Sequence, residues 1–141
     1  MTNRRLSGTA TVLAIAALAL TIFAPGTFAQ TTERRFQIPF DFYAGGQLMP
    51  AGNYTVAQHS SSRATQIYDR NGHVAAVLPL ATSNRVIGNN RLVFNRYGSL
   101  SFLSEMQWAG SGTGLMVRET QLERDARLGN APVRVAIQPA K

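Results

Sequence analysis

The strongest constraint in this sequence is an alternation that begins at Phe36. Phe36, Ile38, Phe40 and Phe42 are large and apolar, and Gln37, Pro39 and Asp41 separate them. Side chains of an extended chain point to opposite faces with a period of two. The pattern therefore predicts a half-buried strand with an aromatic face turned to a core. Pro39 has no amide hydrogen for a ladder, which places this strand at a sheet edge or puts a bulge at Pro39. The polar residues 30–35 before it read as a flexible N-terminal arm.

Short runs of the same kind recur along the chain, separated by turn residues. Ala44-Gly45-Gly46 is a turn, and Leu48 to Gly52, with Pro50 and Gly52, leads tightly into a strand at Tyr54–Gln58 with Tyr54 and Val56 on one face. Ser60, Ser61 and Ser62 close it. Ala64–Asp69 and His73–Leu80 flank Asn71-Gly72, the pair that favours a two-residue hairpin turn with both central residues at positive φ. Pro79 suggests a strand edge or end, and residues 81–90 read as a loop. Arg91–Tyr97 and Ser99–Trp108 form a second hairpin about Gly98. In its second arm Leu100, Phe102, Met106 and Trp108 share one face, and Ser99, Ser101, Glu105 and Gln107 share the other, an inside–outside strand. Residues 110–114 are a glycine-rich link. A short helix is predicted over 120–128: Thr120 and Glu123 have capping-box spacing, Leu122 and Ala126 share a face, Glu123 and Arg127 are four apart, and Gly129 stands at the C-terminal cap position. Val133, Val135 and Ile137 make 133–137 the last strand. About seven short strands with one late helix predict an all-β, mainly antiparallel domain, a small sandwich or barrel, over residues 30–141.

Residues 1–29 have a different character. Arg4 and Arg5 precede an uncharged apolar run from Ala10 to Ala24, and Pro25-Gly26 and Thr27-Phe28-Ala29 follow. A charged start, a short apolar core and a small-residue exit describe a secretory signal peptide cut after Ala29. The run is shorter than the roughly 20 residues of a spanning helix, so the membrane is a partner only if residues 1–29 are retained. Leu6-Ser7-Gly8 do not continue a twin-arginine pattern. Sec export to the periplasm or the exterior is the expectation. Removing these 29 residues leaves 112 and lowers the net charge from +7 to +5.

The segments Phe36–Phe42 (FQIPFDF) and Leu48–Val56 (LMPAGNYTV), with Arg91–Gly98 (RLVFNRYG) and Phe102–Trp108 (FLSEMQW), together resemble a group of small exported bacterial β-rich proteins. The resemblance covers most of residues 36–128 and implies an exported β-rich domain. It brings no activity, ligand or catalytic residue with it.

At 141 residues the chain is too short for a TIM barrel or a complete two-half dinucleotide-binding enzyme, and without cysteine it has no disulfide, thiolate zinc site, iron–sulfur cluster or cysteine nucleophile. His59 and His73 are the only histidines, and neither has metal-motif spacing with Asp41 or Asp69. Gly110-Ser111-Gly112 lacks the strand-to-helix context of a nucleophile elbow and the lysine of a phosphate loop. Paired carboxylates for glycoside hydrolysis need a cleft deeper than a domain of this size offers. The expectation is therefore no catalytic, cofactor-binding or metal-binding residue. Of the aromatics that suit sugar stacking, strand parity puts Tyr54 and Trp108 in the core and leaves Tyr43 and Tyr97 near turns, with Tyr68 as a further member. Thirteen of the fourteen basic residues are arginine, with Lys141 the exception. They are scattered, and across 118–127 Arg118, Arg124 and Arg127 are balanced by Glu119, Glu123 and Asp125. Scatter and export both argue against nucleic acid and leave an envelope protein or polysaccharide as partner. The function expected is a non-catalytic binding or structural role at the cell envelope. The alternative is a small envelope hydrolase using His59 or His73.

Overall fold

The computed structural model describes residues 31–59, 64–83, 88–109 and 114–141. The signal peptide expected over residues 1–29, the serine run from Ser60 and the glycine-rich link at 110–113 lie outside them. Ten strands and one helix follow in the order β1 (Thr31–Ile38), β2 (Phe42–Ala44), β3 (Gln47–Met49), β4 (Gly52–His59), β5 (Ala64–Tyr68), β6 (Val74–Ser83), β7 (Arg91–Tyr97), β8 (Leu100–Gln107), β9 (Gly114–Val117), α1 (Gln121–Gly129) and β10 (Val133–Ile137). The antiparallel neighbours run β1-β4-β5-β6-β9-β8-β7-β10. Beyond β10 the amide of Ala140 donates to the carbonyl of Arg35 on β1 at 2.9 Å, so the two ends of the curled sheet meet. The β2–β3 hairpin joins the side of β8 through one parallel pairing, Tyr43 with Phe102. The all-β, mainly antiparallel fold with a short C-terminal helix is as the sequence predicts. The strands beyond seven come from a split of the first one, from β3 and from β9.

Inside the curl lies a single apolar cluster: Phe36, Ile38, Phe42, Met49, Tyr54, Val56, Ile67, Leu78, Leu92, Phe94, Leu103, Met106 and Trp108 are all buried in it. The aromatic face expected from Phe36 is real, but it is shared between two strands. Phe42 lies edge-on to Tyr54 at 5.4 Å and to Phe94 at 5.3 Å, the arrangement that ring quadrupoles favour. At Pro39 the chain leaves β1 and turns, so Phe40 no longer belongs to the strand. It closes one end of the cluster, edge-on to Phe94 at 5.3 Å, with the Arg96 guanidinium 4.4 Å above its ring.

Several local expectations are corrected. Residues 31–35 are no free arm: β1 pairs with β4 along its whole length, from Thr31 with His59 to Ile38 with Gly52. A long pairing partner supplies the hydrogen bonds that a polar terminal segment lacks by itself. The 69–73 hairpin has a three-residue loop. Gly72 donates to Asp69 O, Asp69 donates to His73 O, and Gly72 alone takes positive φ, at 80°. The two-residue turn with both residues at positive φ occurs instead at Gly45 and Gly46, at 60° and 92°, between β2 and β3. Strand β6 runs through Pro79 to Ser83, into the expected loop. Pro79 is the last residue opposite β5, and from Leu80 onward β6 pairs with β9, so the missing amide falls where the ladder changes partner.

Strand β8 differs most. Phe94 sits opposite Leu103 but Val93 sits opposite Glu105, which makes Ser104 an extra residue and reverses the parity beyond it. Leu103 and Met106 therefore both enter the core, while Phe102 points outward. The outward face is not solvated: Phe102, Glu105, Gln107 and Tyr97 are all buried, and α1 meets this face through Glu123. The Tyr43 ring stacks on Phe102 at 5.2 Å. Helix α1 is capped as expected, with Thr120 Oγ1 accepting from the amide of Glu123 at 3.3 Å. Its docking side chain is Glu123, however, and Leu122 stays 41% exposed. The Glu123 carboxylate accepts from Asn95 Nδ2 at 3.0 Å, and Arg127 pairs with Glu119 at 3.3 Å instead of with Glu123. No left-handed glycine ends the helix, since Asn130 follows in extended conformation. Among the described residues no helix is long and apolar enough to cross a membrane.

Candidate functional site

Strands β1, β4 and β5 turn alternate residues away from the core, and these outward positions build an open groove of about 780 Å³. Register explains its make-up. Arg35 is opposite Thr55, and Thr55 is opposite Tyr68, so the three form one row across three strands. Glu33 and Asn53 flank the row, and the 69–73 loop brings Asp69, Arg70 and Gly72 to its end, with Ala140 and Lys141 at the β1 side. Two strand spacings make the row about 10 Å across. Arginine, threonine, asparagine and a half-buried tyrosine thus converge on rigid backbone.

Hydrogen bonds extend this face. Thr31 Oγ1 and His59 Nδ1 are 2.9 Å apart, His59 Nε2 and Gln66 Oε1 are 3.4 Å apart, and the Tyr68 hydroxyl donates to the same Gln66 oxygen. The last bond orients the Tyr68 ring beside the row. Asp69 is spent on its own loop: Oδ1 accepts from the amides of Asn71 at 2.8 Å and His73 at 2.9 Å, and Oδ2 lies 3.6 Å from the His73 ring. These bonds, the His73 amide foremost, hold its carboxyl below the usual carboxylate range. Burial, and then the charges of Asp41 and Asp69, push the Tyr54 hydroxyl up, and that hydroxyl donates to Pro50 O at 2.6 Å.

The two histidines stand apart, His59 near the start of β5 and His73 beyond its end. Thr31, His59 and Gln66 repeat the order hydroxyl, imidazole and orienting group. A neutral amide stands where a carboxylate would stabilise an imidazolium, and Tyr68 already occupies its oxygen. His73 has its carboxylate, Asp69, but its side chain is 79% exposed, at the tip of a loop. Among the described residues no three histidine or acidic side chains come close enough to hold a metal ion.

Tyr54 and Trp108 are core residues, as parity predicts. Tyr97 is buried beneath α1 rather than left at a turn, and its hydroxyl is pushed up by burial and then by Glu123 and Glu119. Tyr43 is committed to Phe102. Tyr68 is the half-buried aromatic of the groove, beside the core rings of Phe36 and Tyr54. Sequence reasoning named Tyr68 only as one of several aromatics and placed Arg35 in a free arm. The residues of the groove are brought together by pairing across strands, and no motif along the chain marks them. The chain matches no known family, curated protein or solved structure.

Proposed function

We propose that this protein is an exported, non-catalytic module of the cell envelope that binds polysaccharide in the groove over β1, β4 and β5. The observation that carries the reading is the row Arg35, Thr55 and Tyr68, flanked by Asn53, on three paired strands. Sugars offer hydroxyl edges and flat apolar faces. A tyrosine supplies a flat amphipathic surface at low entropic cost, and amide, hydroxyl and guanidinium groups supply directed hydrogen bonds. An open groove suits an extended chain. The signal-like residues 1–29 support export by the Sec route to the periplasm or beyond.

Affinity electrophoresis in gels containing polysaccharide tests the binding role. Tyr68→Ala is expected to weaken retardation by about tenfold in affinity, as loss of one aromatic contact predicts. His59→Ala/His73→Ala is expected to leave it unchanged. A small envelope hydrolase would behave differently: the protein would release reducing ends from polysaccharide, and the double histidine substitution would abolish that release. Intact mass after cell fractionation tests export. The expected species begins at Gln30 in the soluble exported fraction, and a membrane-held species retaining residues 1–29 would contradict it.

A further inference from the structure

Among the described residues some arginine side chains have partners and others do not. Arg134 pairs with Glu105 at 2.8 Å, Arg127 with Glu119 at 3.3 Å, Arg96 bonds Ser101 and covers Phe40, and Arg91 donates to Gln107. Arg35 and Arg70, at the two ends of the groove, make no side-chain hydrogen bond or ion pair among the described residues, and neither do the exposed Arg118 and Arg124, which lie outside the groove. Lys141 adds a third cation to the lining. Two acids oppose them, Glu33 and Asp69, the latter with both oxygens turned to its own loop, so three side-chain cations face two carboxylates. Cations left unpaired on a rigid concave surface are complementary to anions, and a guanidinium matches a carboxylate through two parallel hydrogen bonds.

We infer that the polysaccharide held by the groove is acidic, a polymer carrying carboxylates on its sugars, with Arg35 and Arg70 as its anion-binding residues. The inference rests on the polysaccharide reading and adds the charge of the ligand. Arg35 begins the row and Arg70 stands on the loop that follows Tyr68 at its other end, so one extended chain lying along the row engages both, and the second contact is intramolecular. Thr55, Asn53 and Tyr68 then meet the sugar between the two charged contacts.

The test uses polygalacturonate and the same polymer with its carboxylates methyl-esterified, titrated calorimetrically into the full-length exported protein at low and physiological salt. Binding to the acid form, weakened by salt and about tenfold stronger than to the ester, is expected. Arg35→Gln/Arg70→Gln is expected to remove that preference without moving the melting temperature. Arg118→Gln/Arg124→Gln deletes the same charge from exposed positions outside the groove and is expected to leave binding intact. Equal losses in the two double variants would overturn the inference, because net charge alone would then explain binding. Equal binding of acid and ester would overturn it while leaving the polysaccharide reading standing. Binding of neither polymer, with no retardation in neutral polysaccharide gels, would overturn both.

Discussion

Glu123 ties α1 to the sheet with a carboxylate where an apolar side chain is the usual anchor. It is 5% exposed and accepts one hydrogen bond from Asn95. Burial raises its pKa above the ordinary carboxylate range, the nearby Glu119 adds to this, and the Asn95 bond and Arg127 oppose it. A raised folded pKa on an acid means that the folded state holds the proton longer than the unfolded chain does. Its contribution to stability is therefore greatest below the ordinary glutamate pKa and is lost as pH rises through the folded value. Glu123→Gln keeps an acceptor for Asn95 and removes the charge, so it is expected to raise the melting temperature at neutral pH and to flatten its fall between acid and neutral pH. Glu123→Ala leaves Asn95 without a partner and is expected to cost about 1–2 kcal/mol in chemical denaturation. At this scale the sequence is legible where parity holds. Tyr54 and Trp108 are readable as core residues from alternation alone. Tyr97 and Gln107 are not, because contacts made only in the assembled sheet bury them, Tyr97 near Glu123 of α1 and Gln107 beneath Arg91 of β7.

The turns and caps decide how the strands connect. Gly45 has φ of 60°, and a Cβ there would stand 2.6 Å from Leu78 Cδ2, an atom held in the core. Gly72 has φ of 80° and open space around its would-be Cβ. Gly72→Ala is expected to cost about 1 kcal/mol, the left-handed penalty alone, and Gly45→Ala about 1–2 kcal/mol more, because Leu78 must also shift. Equal costs would show that the β2–β3 turn gives way and the Leu78 contact is not tight. Hairpins and the helix start are legible because turn residues and Thr120 act locally. The exchange of turn types between Gly45-Gly46 and Asn71-Gly72 is not legible, since Asp69 builds a wider loop by accepting two backbone amides. Strand β9 also escapes reading: four residues carry too short an alternation to stand out, and only pairing with β6 and β8 makes them a strand.

For the whole molecule, the β-rich class follows from recurring alternation, whereas the closure of the sheet does not. The Ala140–Arg35 bond joins segments from opposite ends of the chain, and the groove draws Arg35, Thr55, Tyr68 and Arg70 from three strands and a loop. Both depend on register between strands, which the sequence specifies only through the packing of the assembled core. On the proposed function, this assembled face is where ligand is held. Nitrogen-15 chemical-shift mapping of the protein during titration with polygalacturonate puts this to the test. Shifts are expected to concentrate on Arg35, Asn53, Thr55, Tyr68 and Arg70, with the residues of α1 and the Tyr43–Phe102 face unmoved. Shifts centred on α1, or spread evenly over every exposed arginine, would contradict it.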